Sequence, residues 1–186
     1  MPTELHPDIE RILIDTDPIR ARIKELAREL EKAYPHRAPT LIAILKGSVI
    51  FLGDLMRELK LECEVDFMGL SSYSGNKSTG VVRLLLDLRE SIQDKDVLIV
   101  EDIVDTGLTL SYLQQNLLTR KPRSLEVVTL LDKPDCRKVR MEPRFAGFRI
   151  PNEFVVGYGL DYNERYRNLP YIGVLKPEAV ARGGKA

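Results

Sequence analysis

The chain has little with which to build a disulfide or metal framework. Its 186 residues include two cysteines, Cys63 and Cys136, which form no CxxC pair and no metal-ligand spacing. Such usage suits a reducing cytosol and argues against a disulfide-stapled fold. Histidine is also scarce; His6 and His36 each adjoin a proline, and neither is given a role. Charge of one sign is missing too, since 28 Lys and Arg balance 28 Asp and Glu. That balance excludes a global attraction to nucleic acid or to an anionic membrane. No apolar run approaches the ~18 residues of a membrane helix. The first residues, MPTELHPDIERILIDTD, carry charges where a signal peptide would be apolar. Repeats, low-complexity tracts and linkers are absent from the sequence. The expectation is one cytoplasmic domain over 1–186, with no nucleic-acid and no membrane partner.

What is present is a series of short apolar runs between amphipathic segments. Asp17-Pro18 reads as a cap and first-turn proline. Ile19, Ile23, Leu26, Leu30 and Ala33 then follow helical spacing until Pro35. TLIAIL (40–45) is a continuously apolar strand, and Ser48 is positioned to cap a helix bearing Phe51, Leu52, Leu55, Met56 and Leu59. Further strands are expected at 63–70, 81–88, 97–100, 124–131, 153–160 and 171–175, with a helix over about 107–118. This alternation implies an α/β fold, a Rossmann-like parallel sheet flanked by helices. Ligands of such sheets bind beyond the carboxyl ends of the strands. Three polar clusters fall there: Lys46-Gly47-Ser48, Glu101 to Thr109, and Asp132-Lys133.

The second cluster is the most informative. In VLIVEDIVDTGLTL (97–110) an apolar strand runs into Glu101 and Asp102, then Asp105, Thr106, Gly107, Leu108 and Thr109. A strand-to-helix turn presents backbone N–H groups that favour an anion, and Gly107 lets the chain approach closely. The GxxxxGK[ST] pattern of nucleotide-triphosphate loops is absent. Carboxylates beside a phosphate cradle would face sugar hydroxyls or a divalent cation. On its residues alone the stretch is equally a strand ending in solvated acids before a helix capped by Asp105 or Thr106.

The string Glu101-Asp102-Ile103-Val104-Asp105-Thr106-Gly107-Leu108-Thr109 resembles the phosphoribosyl pyrophosphate (PRPP) signature of type I phosphoribosyltransferases. With ILKGS (44–48), SSYSGNKSTG (71–80), LLDKP (130–134) and FVVGYGLDYNERYRNLPYIGVL (154–175), the chain is similar to bacterial-type hypoxanthine-guanine phosphoribosyltransferases over about 40–176. That resemblance implies a core over about 17–165 and a small hood contributed by the termini. It implies that Glu101, Asp102, Asp105, Thr106, Gly107, Leu108 and Thr109 bind PRPP. It places Lys46, Gly47 and Arg167 on pyrophosphate, with a cis bond between residues 45 and 46. Lys133, Phe154, Val155 and Asp161 are implied around the purine, and Glu101, Asp102 and Asp161 around Mg2+. Ser72 and Tyr73 would belong to a lid, and the assembly would be a homodimer or homotetramer.

Residue chemistry bears on several of these roles. Lys133 only donates, so it matches a 6-oxo group and opposes the amino group of adenine; in isolation it is also readable as a surface lysine in a turn. Phe154 alone suits a strand core as well as a purine platform, and Asp161 suits an ordinary turn. SSYSGNKSTG is readable as a long hairpin loop. The implied reaction transfers phosphoribosyl from PRPP to hypoxanthine or guanine, with Asp105 exchanging a proton at purine N7 or only hydrogen-bonding there. Two rival readings remain at this stage: a PRPP-sensing regulator without catalysis, and a related transferase preferring xanthine. Acidic Asp132 before Lys133, and Glu153 before Phe154, depart from the family pattern.

Overall fold

The computed structural model describes residues 5–72 and 82–183. In chain order the elements are β1 (Ile9–Ile14), α1 (Thr16–Ala33), β2 (Thr40–Leu45), α2 (Val49–Glu58), β3 (Glu64–Ser72) and β4 (Val82–Leu86). They continue with β5 (Asp96–Val104), α3 (Leu108–Leu118), β6 (Ser124–Asp132), a 3-10 turn at Pro134–Cys136, β7 (Phe145–Arg149), β8 (Val155–Val156), β9 (Ile172–Leu175) and α4 (Pro177–Gly183). Six strands form the main sheet in the order β4-β3-β2-β5-β6-β7. All pair in parallel except β4, which is antiparallel to β3. The sheet is therefore mixed, not wholly parallel. A second, antiparallel sheet, β1-β9-β8, joins residues from both ends of the chain.

Strand alternation divides the core. Leu41, Ala43, Leu98 and Val100 face α1 and α2, whereas Ile42, Ile44, Val97 and Ile99 face Leu110, Leu113 and Leu117 of α3. A strand covered on both faces must be apolar at every position, which is why TLIAIL and VLIV are unbroken runs. Burying each large side chain of α1 (Ile19, Ile23, Leu26 and Leu30) contributes roughly 1.5–3 kcal/mol.

Local expectations needed correction where side chains had other partners. The α1 cap is Asp15, whose carboxylate accepts from the Thr16 N–H; Asp17 lies inside the first turn. Met56 is exposed, while Phe51, Leu52 and Leu55 are buried. Ser48 sits at the start of α2 but makes no cap bond. Its buried Oγ donates instead to the Ile44 carbonyl at 2.6 Å, fixing the chain between β2 and α2. Ser48→Ala is expected to lower the unfolding free energy by about 1 kcal/mol in chemical denaturation.

The expected strand at 153–160 is only two residues long. Gly157, Tyr158 and Gly159 all adopt positive φ and turn the chain back, with Gly157 N–H donating to Leu160. The order of strands then fixes the position of the site. From β2 the chain proceeds to β3 on one side, while β5, β6 and β7 continue on the other, leaving a crevice at the carboxyl ends of β2 and β5.

Candidate active site

At that crevice the β2 end and the β5 end meet without spare room. The Leu45–Lys46 peptide is cis. A Cβ on Gly47 would lie 1.6 Å from Asp102 Oδ2, and a Cβ on Gly159 would lie 2.1 Å from the Gly47 carbonyl oxygen. A cleft of about 800 Å³ opens here and brings Lys46, Gly47, Glu101, Asp102, Asp161 and Arg167 together, with Thr109 also on its lining.

Glu101 and Asp102 lie within strand β5, which runs on to Val104, rather than in a solvated loop. Glu101 is buried. Burial, reinforced by the neighbouring Asp102 charge, holds its carboxyl well above the usual carboxylate range. Burial likewise pushes Asp102 up to about 6, opposed by the backbone N–H of Ile103, which donates to it at 2.8 Å. Two desolvated acids side by side form a site deficient in positive charge, one that hydroxyl donors or a cation would relieve.

Beyond β5, Gly107 takes the cap position of α3 in the left-handed region, at φ 78°, so neither Asp105 nor Thr106 is the cap. The Thr106 hydroxyl accepts from the Leu108 N–H at 3.4 Å. The loop is held from beneath by residues that no sequence motif singles out. Arg137 donates to the Val104 carbonyl at 2.8 Å, to the Asp105 carbonyl and to the Asp132 carboxylate. Lys138 N–H donates to the Thr106 carbonyl and Lys133 N–H to that of Val104, both at 2.9 Å. Burial and the nearby Asp105 carboxylate raise the pKa of the Cys136 thiol.

Lys133 is 6 % exposed, and its ammonium donates to the Glu153 carbonyl at 2.7 Å. It is not a surface lysine, and one acceptor leaves two of its three N–H groups for a ligand. Phe154 is not a core residue: it is 48 % exposed and meets Tyr162 edge-on at 5.3 Å. Val155 beside it is buried and begins β8. Glu153, the departure noted in the sequence, is gripped by Arg11 of β1 at 2.7 Å.

Asp161 and Arg167 are paired with each other, at 2.9 Å. The second Asp161 oxygen accepts the Glu164 N–H, and Arg167 also donates to the Gly159 carbonyl and reaches Glu164. Glu164 in turn accepts from Lys46 at 3.0 Å. The sequence reading missed Glu164, although its three-residue spacing to Arg167 was the available signal. Among the described residues no group of three or more His, Cys, Asp or Glu side chains could hold a metal ion. Glu101, Asp102 and Asp161 therefore do not form a self-sufficient ligand set. Ser72 ends β3, and Tyr73 lies outside the described residues.

A family model described as a phosphoribosyl transferase domain matches residues 12–163. The hypoxanthine-guanine phosphoribosyltransferase of Mycobacterium avium is 54% identical over 95% of this chain and 91% of its own length. The bifunctional protein TilS/HprT of Listeria innocua is 51% identical over 94% of this chain, which spans only 27% of that longer protein. A crystal structure of a hypoxanthine phosphoribosyltransferase from Staphylococcus aureus superposes with a TM-score of 0.91 at 49% identity, covering 96% of this chain and 98% of that one.

Proposed function

This chain belongs to the phosphoribosyltransferase family, and from that premise we propose that it transfers the 5-phosphoribosyl group of PRPP to hypoxanthine or guanine in purine salvage, giving inosinate or guanylate and pyrophosphate. The observation that carries the choice of base is buried Lys133, whose ammonium donates to the carbonyl of Glu153, the residue just before exposed Phe154. A donor-only group that is already desolvated favours a 6-oxopurine and penalises the amino group of adenine.

Each polar cluster then has a task. The Asp105–Thr109 loop cradles the 5-phosphate at the start of α3. Glu101 and Asp102 accept from the ribose hydroxyls, and the negative charge they regain when those donors or a cation offset their burial favours the cationic sugar as the bond to pyrophosphate breaks. Lys46, the Gly47 backbone and Arg167 bind the leaving pyrophosphate. Phe154 stacks on the purine, and the Val155 backbone meets its edge. Purine N9 forms the bond to the anomeric carbon as the pyrophosphate oxygen departs, while Asp105 takes up the proton at N7. Ser72 and Tyr73 form part of a lid that keeps water from the sugar cation.

The carboxylate oxygens of Glu101, Asp102 and Asp161 suit a hard divalent cation that completes its shell with substrate and water, as Mg2+ does. Mg2+ would neutralise charge on the pyrophosphate group. The proposal extends to one domain over 1–186 with β1, β8, β9 and the termini as its hood. Half-buried free cysteines support a cytoplasmic setting. Exposed Leu118 offers apolar surface for a homodimer or homotetramer. Among the described residues no helix is long and apolar enough to cross a membrane.

Incubation with PRPP, Mg2+ and each of hypoxanthine, guanine, xanthine and adenine tests the proposal. Inosinate and guanylate without adenylate are expected. Asp105→Asn is expected to lower kcat by about a hundredfold, as loss of a general acid–base group does, with the KM for PRPP little changed. Nucleotide from no base, with PRPP still bound, would make the protein a PRPP sensor.

A further inference from the structure

The two cations assigned to pyrophosphate are already bridged. One Glu164 oxygen accepts from Lys46 Nζ at 3.0 Å, and the other pairs with Arg167 at 3.2 Å. Lys46 follows β2 of the main sheet, whereas Arg167 stands in the loop between β8 and β9. A carboxylate with one oxygen on each of two separate cations presents the same contacts as two oxygens of a phosphate group. Nothing in the packing forces this arrangement, since Glu164 is 64 % exposed along its side chain. Exposed pairs of this kind are weak and readily exchanged.

The backbone beneath Glu164 gives an independent reason to look at it. Tyr162 and Arg165 exchange backbone hydrogen bonds at 3.2 Å, closing a tight turn. Both central residues have positive φ, 52° at Asn163 and 60° at Glu164. Asparagine tolerates that region, but the second position of such a turn is ordinarily glycine, which alone avoids a steric penalty there. A glutamate in that place is unfavourable for the turn, so the turn backbone by itself does not account for it.

We propose that Glu164 is a resident substitute for the pyrophosphate group, holding Lys46 and Arg167 in the ligand-free protein and giving up both when PRPP or pyrophosphate binds. The inference rests on the phosphoribosyltransferase reading above. When Glu164 withdraws, Arg167 keeps its place through Asp161 and the Gly159 carbonyl, each at 2.9 Å. Lys46 keeps its backbone position between β2 and Gly47. The two cations are thus held ready without a ligand, and the carboxylate lowers the affinity for a product that must leave. Competition from within the chain makes pyrophosphate easier to release.

Calorimetric binding of inorganic pyrophosphate with Mg2+, together with the KM for PRPP, tests this in the wild type, in Glu164→Gln and in Glu164→Gly. Both variants are expected to bind pyrophosphate about three- to tenfold more tightly, the effect of removing two exposed ion pairs from competition. The KM for PRPP falls in parallel and that for hypoxanthine stays constant. Glu164→Gly also raises the Tm, because the turn relaxes. Equal or weaker pyrophosphate binding in both variants would overturn the inference and make Glu164 a scaffold for the two cations. A wild type that binds no pyrophosphate and forms no nucleotide would overturn the functional reading itself, and this inference with it.

Discussion

Lys133→Ala is expected to lower kcat/KM for hypoxanthine and guanine about a thousandfold while leaving the KM for PRPP close to that of the wild type. The size follows from where the ammonium sits. It is already desolvated, with a single bond to the Glu153 carbonyl at 2.7 Å, so a purine oxygen completes a charge-assisted bond without a new burial cost. Truncation removes that donor and leaves the purine oxygen facing a space with no partner. The PRPP side is spared because the bond from the backbone N–H of residue 133 to the Val104 carbonyl does not involve the side chain. Lys133→Gln separates charge from size. An amide can present either a donor or an acceptor, so the preference over adenine is expected to narrow. Steady-state kinetics with each base provides the comparison. A Lys133→Ala protein that used hypoxanthine as well as the wild type would place recognition of the purine oxygen elsewhere.

Gly159→Ala is expected to destabilise the protein by about 3 kcal/mol or more, a value at the severe end for single substitutions. Two penalties coincide at this residue. Its φ of 100° is one that a side chain rarely adopts, and the added methyl would lie 2.1 Å from the backbone oxygen of Gly47. That oxygen cannot rotate away as a flexible side chain could. Because Gly47 is pressed against Asp102 on its other side, the strain passes into the pyrophosphate loop. The residual folded enzyme is expected to lose about a hundredfold in kcat/KM for PRPP, the effect of misplacing a binding group by about 1 Å. Gly53→Ala supplies the opposite sign. No atom lies within 4 Å of its Cβ position, and it sits in the interior of α2 on the exposed side. There the methyl group is expected to add about 0.5–1 kcal/mol by removing the helical penalty of glycine. Thermal and denaturant unfolding of the two proteins, side by side, measures both changes.

Both glycines look alike in the sequence, and this marks the limit of reading it. The chain from 97 to 109 was legible because strand, acids, phosphate loop and helix start are contiguous there. Its continuous apolar run reports burial on both faces of a sheet. The helices α1 and α2 were legible for a similar reason, since apolar spacing along a helix is a local signal. Strand β1 and strand β7 were missed because IERILI and FAGFR are short, and their pairing with distant strands is what makes them strands. The reading of 153–160 as one strand failed at Gly157 and Gly159, whose positive φ values are set by Tyr171 and Gly47 pressing from other parts of the chain.

The sequence by itself determined the α/β alternation, the family and the residue types at each strand end, because each of these depends on neighbours along the chain. Tertiary structure decided which of those residues are charged partners of which. Only the closing of β2 against β5 buries Glu101 and raises the Asp102 pKa, and only the β8–β9 loop brings Glu164 between Lys46 and Arg167. Arg137 beneath the phosphate loop and Arg11 on Glu153 belong to the same class. Desolvation and ion pairing depend on distance through space, and residues from about thirty to more than a hundred positions apart acquire that distance only when the sheet is assembled.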